Sequence, residues 1–209
     1  MVDFRPFRPY LPRLGNGEGM IERVSPPYDV ISAEELARLK GNRYNVTNIT
    51  MGGIGGNYSA AGEALRSWIE HGALAQDRRD AFYTYKQTFC EGEHCWQRTG
   101  IIGLLAAKGY AEGVVPHEET FPKVKEDRLN LLRGTETHSE SIFGIFDELS
   151  SKLRDRIEDL ETKVLEFTDP QGVRHCLFRI CDPETVQAIT EELRSKTVLI
   201  ADGHHRFET

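Results

Sequence analysis

The segment AFYTYKQTFCEGEHCWQRTGIIGLLAAKGY (residues 81–110) contains two runs rich in aromatic and branched residues, 81–89 and 95–110, separated by a short polar stretch. Such runs on either side of a polar turn are typical of a β-hairpin. We expect its second strand to be long. Because a hairpin forces antiparallel pairing, this segment predicts that antiparallel strands form much of the sheet.

Helix signals lie on both sides of this hairpin. Upstream, Ser32 with Glu35 three residues later forms a capping-box pattern, and Gly41 ends the helix that Ser32 begins. Segment 59–72 places its apolar side chains on one helical face and stops at Gly72. Three further helices are predicted downstream, over 125–137, 150–163 and 182–196.

Strand signals alternate with these helices, and one pair of strands is joined by the turn DPQG. We predict a mixed α/β (α+β) fold with a mixed, largely antiparallel sheet and flanking helices. The return from the last helix to the last strand permits some parallel pairing. The predicted strands beyond the first hairpin are 44–50, 141–149, 163–168, 173–180 and 197–202.

The length of 209 residues suits a single α/β domain. The sequence ends three residues after Arg206, which is too close for a helix beginning near Gly203 to be well supported. We therefore expect residues 1–209 to be either one domain or the N-terminal fragment of a longer protein.

Charge and hydropathy exclude several classes of protein. Lys and Arg number 26 against 33 Asp and Glu, the net charge is -7, and the basic residues are scattered. A nucleic-acid partner is not expected, since duplex binding usually needs a basic stripe. The N-terminal residues resemble no signal peptide, and the longest apolar run, IIGLLAA, is too short to span a bilayer. We expect a cytoplasmic protein with no membrane partner.

The four cysteines form two pairs of equal spacing, Cys90 with Cys95 and Cys176 with Cys181. A zinc site usually has the tighter C-x2-C spacing. Buried or cross-strand thiols in a reducing cell are therefore the preferred interpretation over a metal site.

The C-terminal stretch TVLIADGHHRFET runs from an apolar strand into five residues of types common in functional sites. A glycine at a helix start lets an anion approach the backbone N–H groups. Arg206 can offer a planar fork to a phosphate, and the adjacent histidines can donate hydrogen bonds or act as a base. A polar surface turn is the alternative. The predicted phosphate-binding residues are Gly203, His204, His205 and Arg206, with Asp202 as a magnesium ligand or as the partner that orients a histidine.

The central stretch VVPHEETFPKVKEDR (114–128) places His117 and Glu118 in a loop after the long strand. These two can form a general acid/base pair or bind a metal, and a solvated loop is the alternative. The pattern is not that of the zinc proteases, because Phe121 stands where a second histidine is needed. The predicted supporting residues are Thr120, Asp127 and Arg128.

Two stretches nearer the N-terminus are more ambiguous. In SPPYDVIS (25–32) the two prolines hold an extended backbone that would present Tyr28 and Asp29 to a binding wall, or simply lead the chain into a sheet. The glycine-rich stretch MGGIGG (51–56) lacks the spacing and the lysine of a phosphate-binding loop, which favours a flexible connection.

A strand running into ADGHHR resembles the nucleotide-binding motif of the ParB/sulfiredoxin superfamily. The resemblance implies a ParB/sulfiredoxin-like core around this motif and a grip on nucleotide phosphates at residues 203–206. His204 stands where a sulfiredoxin needs cysteine, which excludes the reductase chemistry, and the His-His form is closest to the free-serine-kinase-like branch. Over nearly the whole chain, SPPYDVIS, HEETF with EDR, and ADGHHR occur in the order found in the prokaryotic family catalogued as domain of unknown function 1015, which this sequence resembles more closely.

These features predict an enzyme that binds a nucleoside di- or triphosphate with Mg²⁺ and transfers a phosphoryl group to a small-molecule substrate. Magnesium would be held by Asp202 or Glu118. A nucleotide-sensing regulatory module and a metal-dependent hydrolase remain alternatives. We expect Asp29, His117, Glu118 and the ADGHHR turn to meet in one cleft. The predicted catalytic residues are His117, Glu118, Asp202 and His204.

Overall fold

Strands and helices alternate along this computed structural model, which describes residues 1–14, 19–52, 57–110 and 113–209. The strands are β1 (Phe4–Arg5), β2 (Tyr10–Pro12), β3 (Leu74–Gln76), β4 (Phe82–Glu91), β5 (His94–Ile102), β6 (Leu104–Leu105), β7 (Val114–Val115), β8 (Phe143–Ile145), β9 (Thr162–Thr168), β10 (Arg174–Ile180) and β11 (Val198–Asp202). The helices are α1 (Ala33–Lys40), α2 (Thr47–Thr50), α3 (Tyr58–Glu70), α4 (Pro122–Thr135), α5 (Ser151–Leu160), α6 (Pro183–Arg194) and α7 (His204–Glu208).

The chain divides into two compact units, each assembled from three separate segments. We call them the sheet unit and the helical unit. The sheet unit comprises Met1–Pro9, Asp77–Val115 and Gly144–Leu199, and the helical unit comprises Tyr10–Gln76, Pro116–Phe143 and Ile200–Thr209.

The sheet unit contains a four-stranded antiparallel sheet in the order β5-β4-β10-β9. Both predicted hairpins, β4–β5 and β9–β10, are present. Its core packs Phe82 and Ile180 of the sheet against apolar side chains of α5 and α6. Parallel pairing occurs between β7 and β11, at Val198 opposite Val114. The predicted mixed, largely antiparallel fold is therefore confirmed, although the strands form several sheets.

The helical unit contains α1, α3 and α4 at the positions that the sequence predicts. Ser32 caps α1 by accepting a hydrogen bond from the N–H of Glu35 at 3.2 Å. Leu65 and Trp68 of α3 are buried in a core cluster with Ile49. Within the described ranges no helix is both long and apolar enough to cross a bilayer.

One predicted strand is wrong, because part of segment 44–50 forms the short helix α2. Its β-branched residues favour a strand locally. However, Asn45 is fully buried, and both the nitrogen and the oxygen of its side-chain amide form hydrogen bonds. Its side-chain amide donates to the carbonyls of Glu22 and Val24 at 2.8 Å each, and its oxygen accepts from the N–H of Thr47 at 3.0 Å. These bonds begin a helical turn and override the propensity of the segment.

The cysteine prediction needs a correction. Cys90 and Cys95 are cross-strand neighbours in the β4–β5 hairpin, as the spacing suggests, but they form a disulfide instead of remaining thiols. The antiparallel register places the two side chains directly opposite each other, which makes the bond possible. Cys176 and Cys181 are free. Of the glycine-rich stretch, residues 53–56 lie outside the described part of the chain.

Candidate functional site in the helical unit

His117 contacts the middle of β11 and the start of α7, although these partners lie 83 to 87 residues further along the chain. Its Nδ1 lies 2.6 Å from the carbonyl oxygen of Ile200. Its backbone N–H donates to Nε2 of His204 at 3.3 Å, and the two rings meet edge to face at 4.6 Å. The HEETF and ADGHHR motifs are therefore in direct contact.

These bonds determine which ring nitrogens carry protons. A carbonyl oxygen can only accept, so Nδ1 of His117 carries a proton, and in the neutral ring Nε2 keeps its lone pair. Nε2 of His204 accepts from a backbone N–H, so its proton lies on Nδ1 when the ring is neutral. The side chain of His117 is exposed, and its Nε2 can act as a base towards a bound molecule.

His204 is fully buried beside Glu118, with its Nδ1 at 2.9 Å from a carboxylate oxygen of that residue. The contact is close enough for an ion pair, but its direction is unsuitable for a hydrogen bond, and Nδ1 has no hydrogen-bond partner within the described residues. A buried, unsatisfied ring nitrogen is costly, so it marks a place where a ligand or a small movement of Glu118 would supply the missing bond.

Two further contacts tie the HEETF loop to α7. Nε2 of His205 accepts from the N–H of Phe121 at 3.0 Å, and the two rings are stacked at 6.2 Å. The hydroxyl of Thr120 donates to Glu208 at 2.5 Å, and the Lys125 ammonium reaches the same carboxylate at 2.9 Å. His205 and Thr120 therefore form contacts that hold the loop against α7, and since Nε2 of His205 accepts, the proton of its neutral ring lies on Nδ1.

Two arginines converge on the carboxylate of Glu140. Nη1 of Arg128 lies 3.4 Å from Oε2 of Glu140, and Nη1 of Arg206 lies 3.8 Å from the same oxygen. The arginine side chains are only 12% and 19% exposed. Arg206 also pairs with Asp202 at 2.8 Å. A cavity of about 50 Å³ adjoins this group and is lined by both arginines, Glu140 and the polar residues Thr137, His138 and Ser139, among others.

Arg128 is held from several sides. Its guanidinium lies 4.8 Å above the ring of Tyr28, bonds to the Asp127 carboxylate and reaches the carbonyl of Thr50 at 3.4 Å. Asp127 also accepts from the Tyr58 hydroxyl at 2.7 Å. Burial would raise the pKa of Asp127, but the hydrogen bonds from Arg128 and Tyr58 outweigh it, and that pKa lies below its usual value. Arg128 is thus a positively charged group with little freedom to move.

Gly203 connects β11 to α7 in a conformation that favours glycine. Its φ is +88°, in the left-handed region. A Cβ here would lie 2.7 Å from Nη2 of Arg206, whose guanidinium is folded back over the glycine. Because α7 has only five residues, few peptide dipoles are aligned at its start, and the charge of this site comes mainly from side chains.

Gly203→Ala is expected to cost about 1–2 kcal/mol of stability, since a left-handed alanine is strained. The clashing atom is the tip of a flexible side chain, so Arg206 can move aside, and we expect any anion binding that depends on Arg206 to weaken. Gly172→Ala is the matched control, because Gly172 has φ +82° but open space around its Cα. Urea unfolding should show similar losses for both variants, whereas unchanged anion binding in Gly203→Ala would contradict the expectation.

Two groups of predicted site residues are in contact in this structure. His117, Glu118 and His204 are in mutual contact; Arg128 and Arg206 are linked through Glu140; and Tyr28 stacks on Arg128. Asp29 is exposed, and within the described ranges no side-chain hydrogen bond or ion pair joins it to the others. The predicted magnesium ligand Asp202 is 73% exposed. In the part of the chain that the structure describes, no three His, Cys, Asp or Glu side chains group as a metal site.

Sequence reasoning missed Glu140 and Glu208, which complete the charge network. Glu140 lies in the polar stretch ETHSE after α4, and Glu208 lies at the end of α7. A carboxylate in a polar loop carries no local sign of which arginine it will meet.

The region that matches a known family includes SPPYDVIS, HEETF with EDR, and ADGHHR. The chain belongs to the family described as protein of unknown function DUF1015, which matches residues 4–209. No curated protein and no solved structure gives a significant match. The match supports the narrower of the two resemblances seen in the sequence, and the ParB/sulfiredoxin-like character of the motif gains no support from it.

Proposed function

For this member of the family we propose that the helical unit binds a nucleoside di- or triphosphate and transfers a phosphoryl group to a small metabolite. The observation that carries the proposal is the convergence of Arg128 and Arg206 on one carboxylate oxygen beside a small cavity that both arginines line. Two largely buried guanidinium groups that lie near each other repel, and an anion bound between them offsets that repulsion. A phosphate offers several oxygens to their planar forks and satisfies both.

His117 is the proposed general base. The carbonyl of Ile200 holds its ring with Nε2 unprotonated, which is the form that can accept a proton from an acceptor hydroxyl. The hydroxyl oxygen then bonds to the terminal phosphorus while the bond from that phosphorus to the leaving phosphate oxygen breaks. His204 and Glu118 position the His117 loop, and Arg128 and Arg206 offset the charge on the phosphate oxygens.

Magnesium fits this site as an ion brought by the nucleotide. Mg²⁺ commonly takes one or two protein carboxylates and completes its shell with phosphate oxygens and water. The exposed carboxylate of Asp202 suits that role while it also pairs with Arg206, and Glu118, which is engaged with His204, is the second candidate. The bound ion would neutralise phosphate charge. A ParB/sulfiredoxin-like origin of the ADGHHR turn would be in keeping with a nucleotide as the phosphate donor.

The second candidate function is a nucleotide sensor. The contacts of Phe121 and Thr120 with α7 favour it, because a ligand that moves α7 would also move the HEETF loop. In that case the same residues would bind a nucleotide without chemistry. The metal-dependent hydrolase gains nothing from the described residues, whose histidines and carboxylates form no three-ligand group.

Product analysis tests the proposal. The protein is incubated with Mg²⁺ and ATP or GTP labelled in the γ-phosphate, over a panel of amino acids and polyols. We expect the label to appear on one member of the panel. Binding of the nucleotide without transfer would reject the enzyme and favour the nucleotide sensor. The absence of any nucleotide binding would reject both functions.

A further inference from the structure

Glu140 occupies an unusual position for a surface-loop carboxylate. Helix α4 ends where Glu136 takes a left-handed backbone with φ +50°, and the chain turns back towards the helix. Glu140 therefore lies against Arg128, which precedes it by twelve residues, and against Arg206. Its side chain is only 19% exposed. The loop after α4 thus delivers one negative charge into the two-arginine site.

The contacts of Glu140 with Arg128 and Arg206 are long and therefore weak. A single oxygen, Oε2, makes both contacts, at 3.4 Å and 3.8 Å, and neither is a two-bond fork. A strong arginine–carboxylate pair has two parallel bonds near 2.8 Å. Nε of Arg206 is buried and has no hydrogen-bond partner within the described residues. One carboxylate therefore leaves donor capacity at this site unused.

Charge arithmetic shows that a ligand cannot simply be added. Two positive groups, Arg128 and Arg206, face three negative ones: Asp127, Asp202 and Glu140. A phosphate entering with Glu140 in place would raise the excess of negative charge in a partly buried site, which is unfavourable. If Glu140 leaves, the phosphate takes over its contacts, and with a phosphate dianion the excess of negative charge rises from one to two instead of from one to three.

The cavity has the size for this exchange. Its volume of about 50 Å³ holds several waters, since one water needs roughly 10–15 Å³ on the same measure. Departure of the Glu140 side chain would add its own volume to that space. The enlarged cavity would then admit a phosphoryl group between the two arginines.

We propose that Glu140 is an internal anion that occupies the phosphate position between Arg128 and Arg206 and is displaced when a phosphate ligand binds. The inference rests on the proposed function, of which it specifies the regulation. Glu140 keeps the arginines paired in the free protein. A phosphate ligand binds only if its contacts with the arginines are more favourable than those of Glu140. A phosphate group with two negative charges can displace a single carboxylate, whereas a monocarboxylate of equal charge has little advantage over it.

Glu140→Gln tests the displacement, because glutamine keeps the shape and removes the charge. We expect binding of MgATP and of inorganic pyrophosphate to tighten about tenfold by calorimetry, which is the effect of removing an internal competitor worth about 1.4 kcal/mol. Glu136→Gln is the matched control, because it makes the same charge change in an exposed residue of the same loop and should leave both affinities unchanged. Glu140→Asp, which retains the charge, should bind more weakly than Glu140→Gln and provides a second variant if the first folds poorly.

The outcomes separate this inference from the function on which it rests. The double variant Glu140→Gln with Arg206→Ala should lose the gain, since the gain acts through Arg206. If the wild-type protein binds and Glu140→Gln binds equally or less well, the internal-anion role is wrong while phosphate binding stands. If neither the wild-type protein nor any Glu140 variant binds either probe, the phosphate site itself is wrong and this inference falls with it.

Discussion

Arg206→Ala is expected to weaken the binding of a nucleoside triphosphate ten- to a hundredfold. A guanidinium on phosphate in a site with little water contributes roughly 1.5–3 kcal/mol as charge-assisted hydrogen bonds, which corresponds to that range. Arg206 is about four-fifths buried and has an unused Nε, so its donors are not already saturated by water or protein. Calorimetry on the folded variant measures the loss.

Two other variants make the Arg206 result specific. Arg78→Ala is the control, because Arg78 is exposed and a solvated arginine contributes little to binding. Arg206→Lys should recover only part of the affinity, since a compact ammonium cannot reproduce the planar fork. An affinity in Arg206→Ala equal to that of the wild-type protein would remove the basis for a phosphate site at the ADGHHR turn.

His117→Asn is expected to lower the rate of phosphoryl transfer by about a hundred- to ten-thousandfold, the usual contribution of a general base. The asparagine amide can still donate to the Ile200 carbonyl as Nδ1 of His117 does, so the loop should keep its position. Nucleotide affinity should therefore change little. Single-turnover kinetics with labelled nucleotide separate the transfer step from binding.

The control for this variant is His94→Asn, a change of the same kind in an exposed histidine of the sheet unit, and its rate should equal that of the wild-type protein. Added imidazole should restore part of the rate of His117→Ala, because free imidazole can replace a missing base but not a missing structural contact. Transfer at the wild-type rate in His117→Asn would exclude His117 as the base.

The elements that the sequence predicts correctly depend on neighbours in the chain. The side chains of Ser32 and Asp182 both accept a hydrogen bond from the backbone N–H three residues later. These helix caps can therefore be predicted from a short stretch of sequence. The turn at 169–172 is stabilised by the Asp169 carboxylate, which accepts from the N–H groups of Gln171 and Val173. Segment 44–50 is misread because the bonds that bend it come from Glu22 and Val24, more than twenty residues away.

The candidate site is only partly predictable for the same reason. The residue types at 117–118 and 202–206 indicate a functional site, since acids, histidines and an arginine are seldom grouped without a role. The motifs do not predict which of these residues contact one another or what role each has. His205 and Thr120 prove to be contacts that hold a loop, and Glu140 enters the site without any motif of its own.

The fold class, both hairpins, the main helix starts and the two stretches that meet in the candidate site can be predicted from the sequence. These follow from hydrophobic periodicity, caps and turns, which act over a few residues. The proton positions on His117 and His204, and the contacts of Glu140 with Arg128 and Arg206, follow only from the three-dimensional arrangement. Those features depend on contacts across up to 87 residues, whose geometry results from packing of the whole unit and leaves no local pattern in the chain.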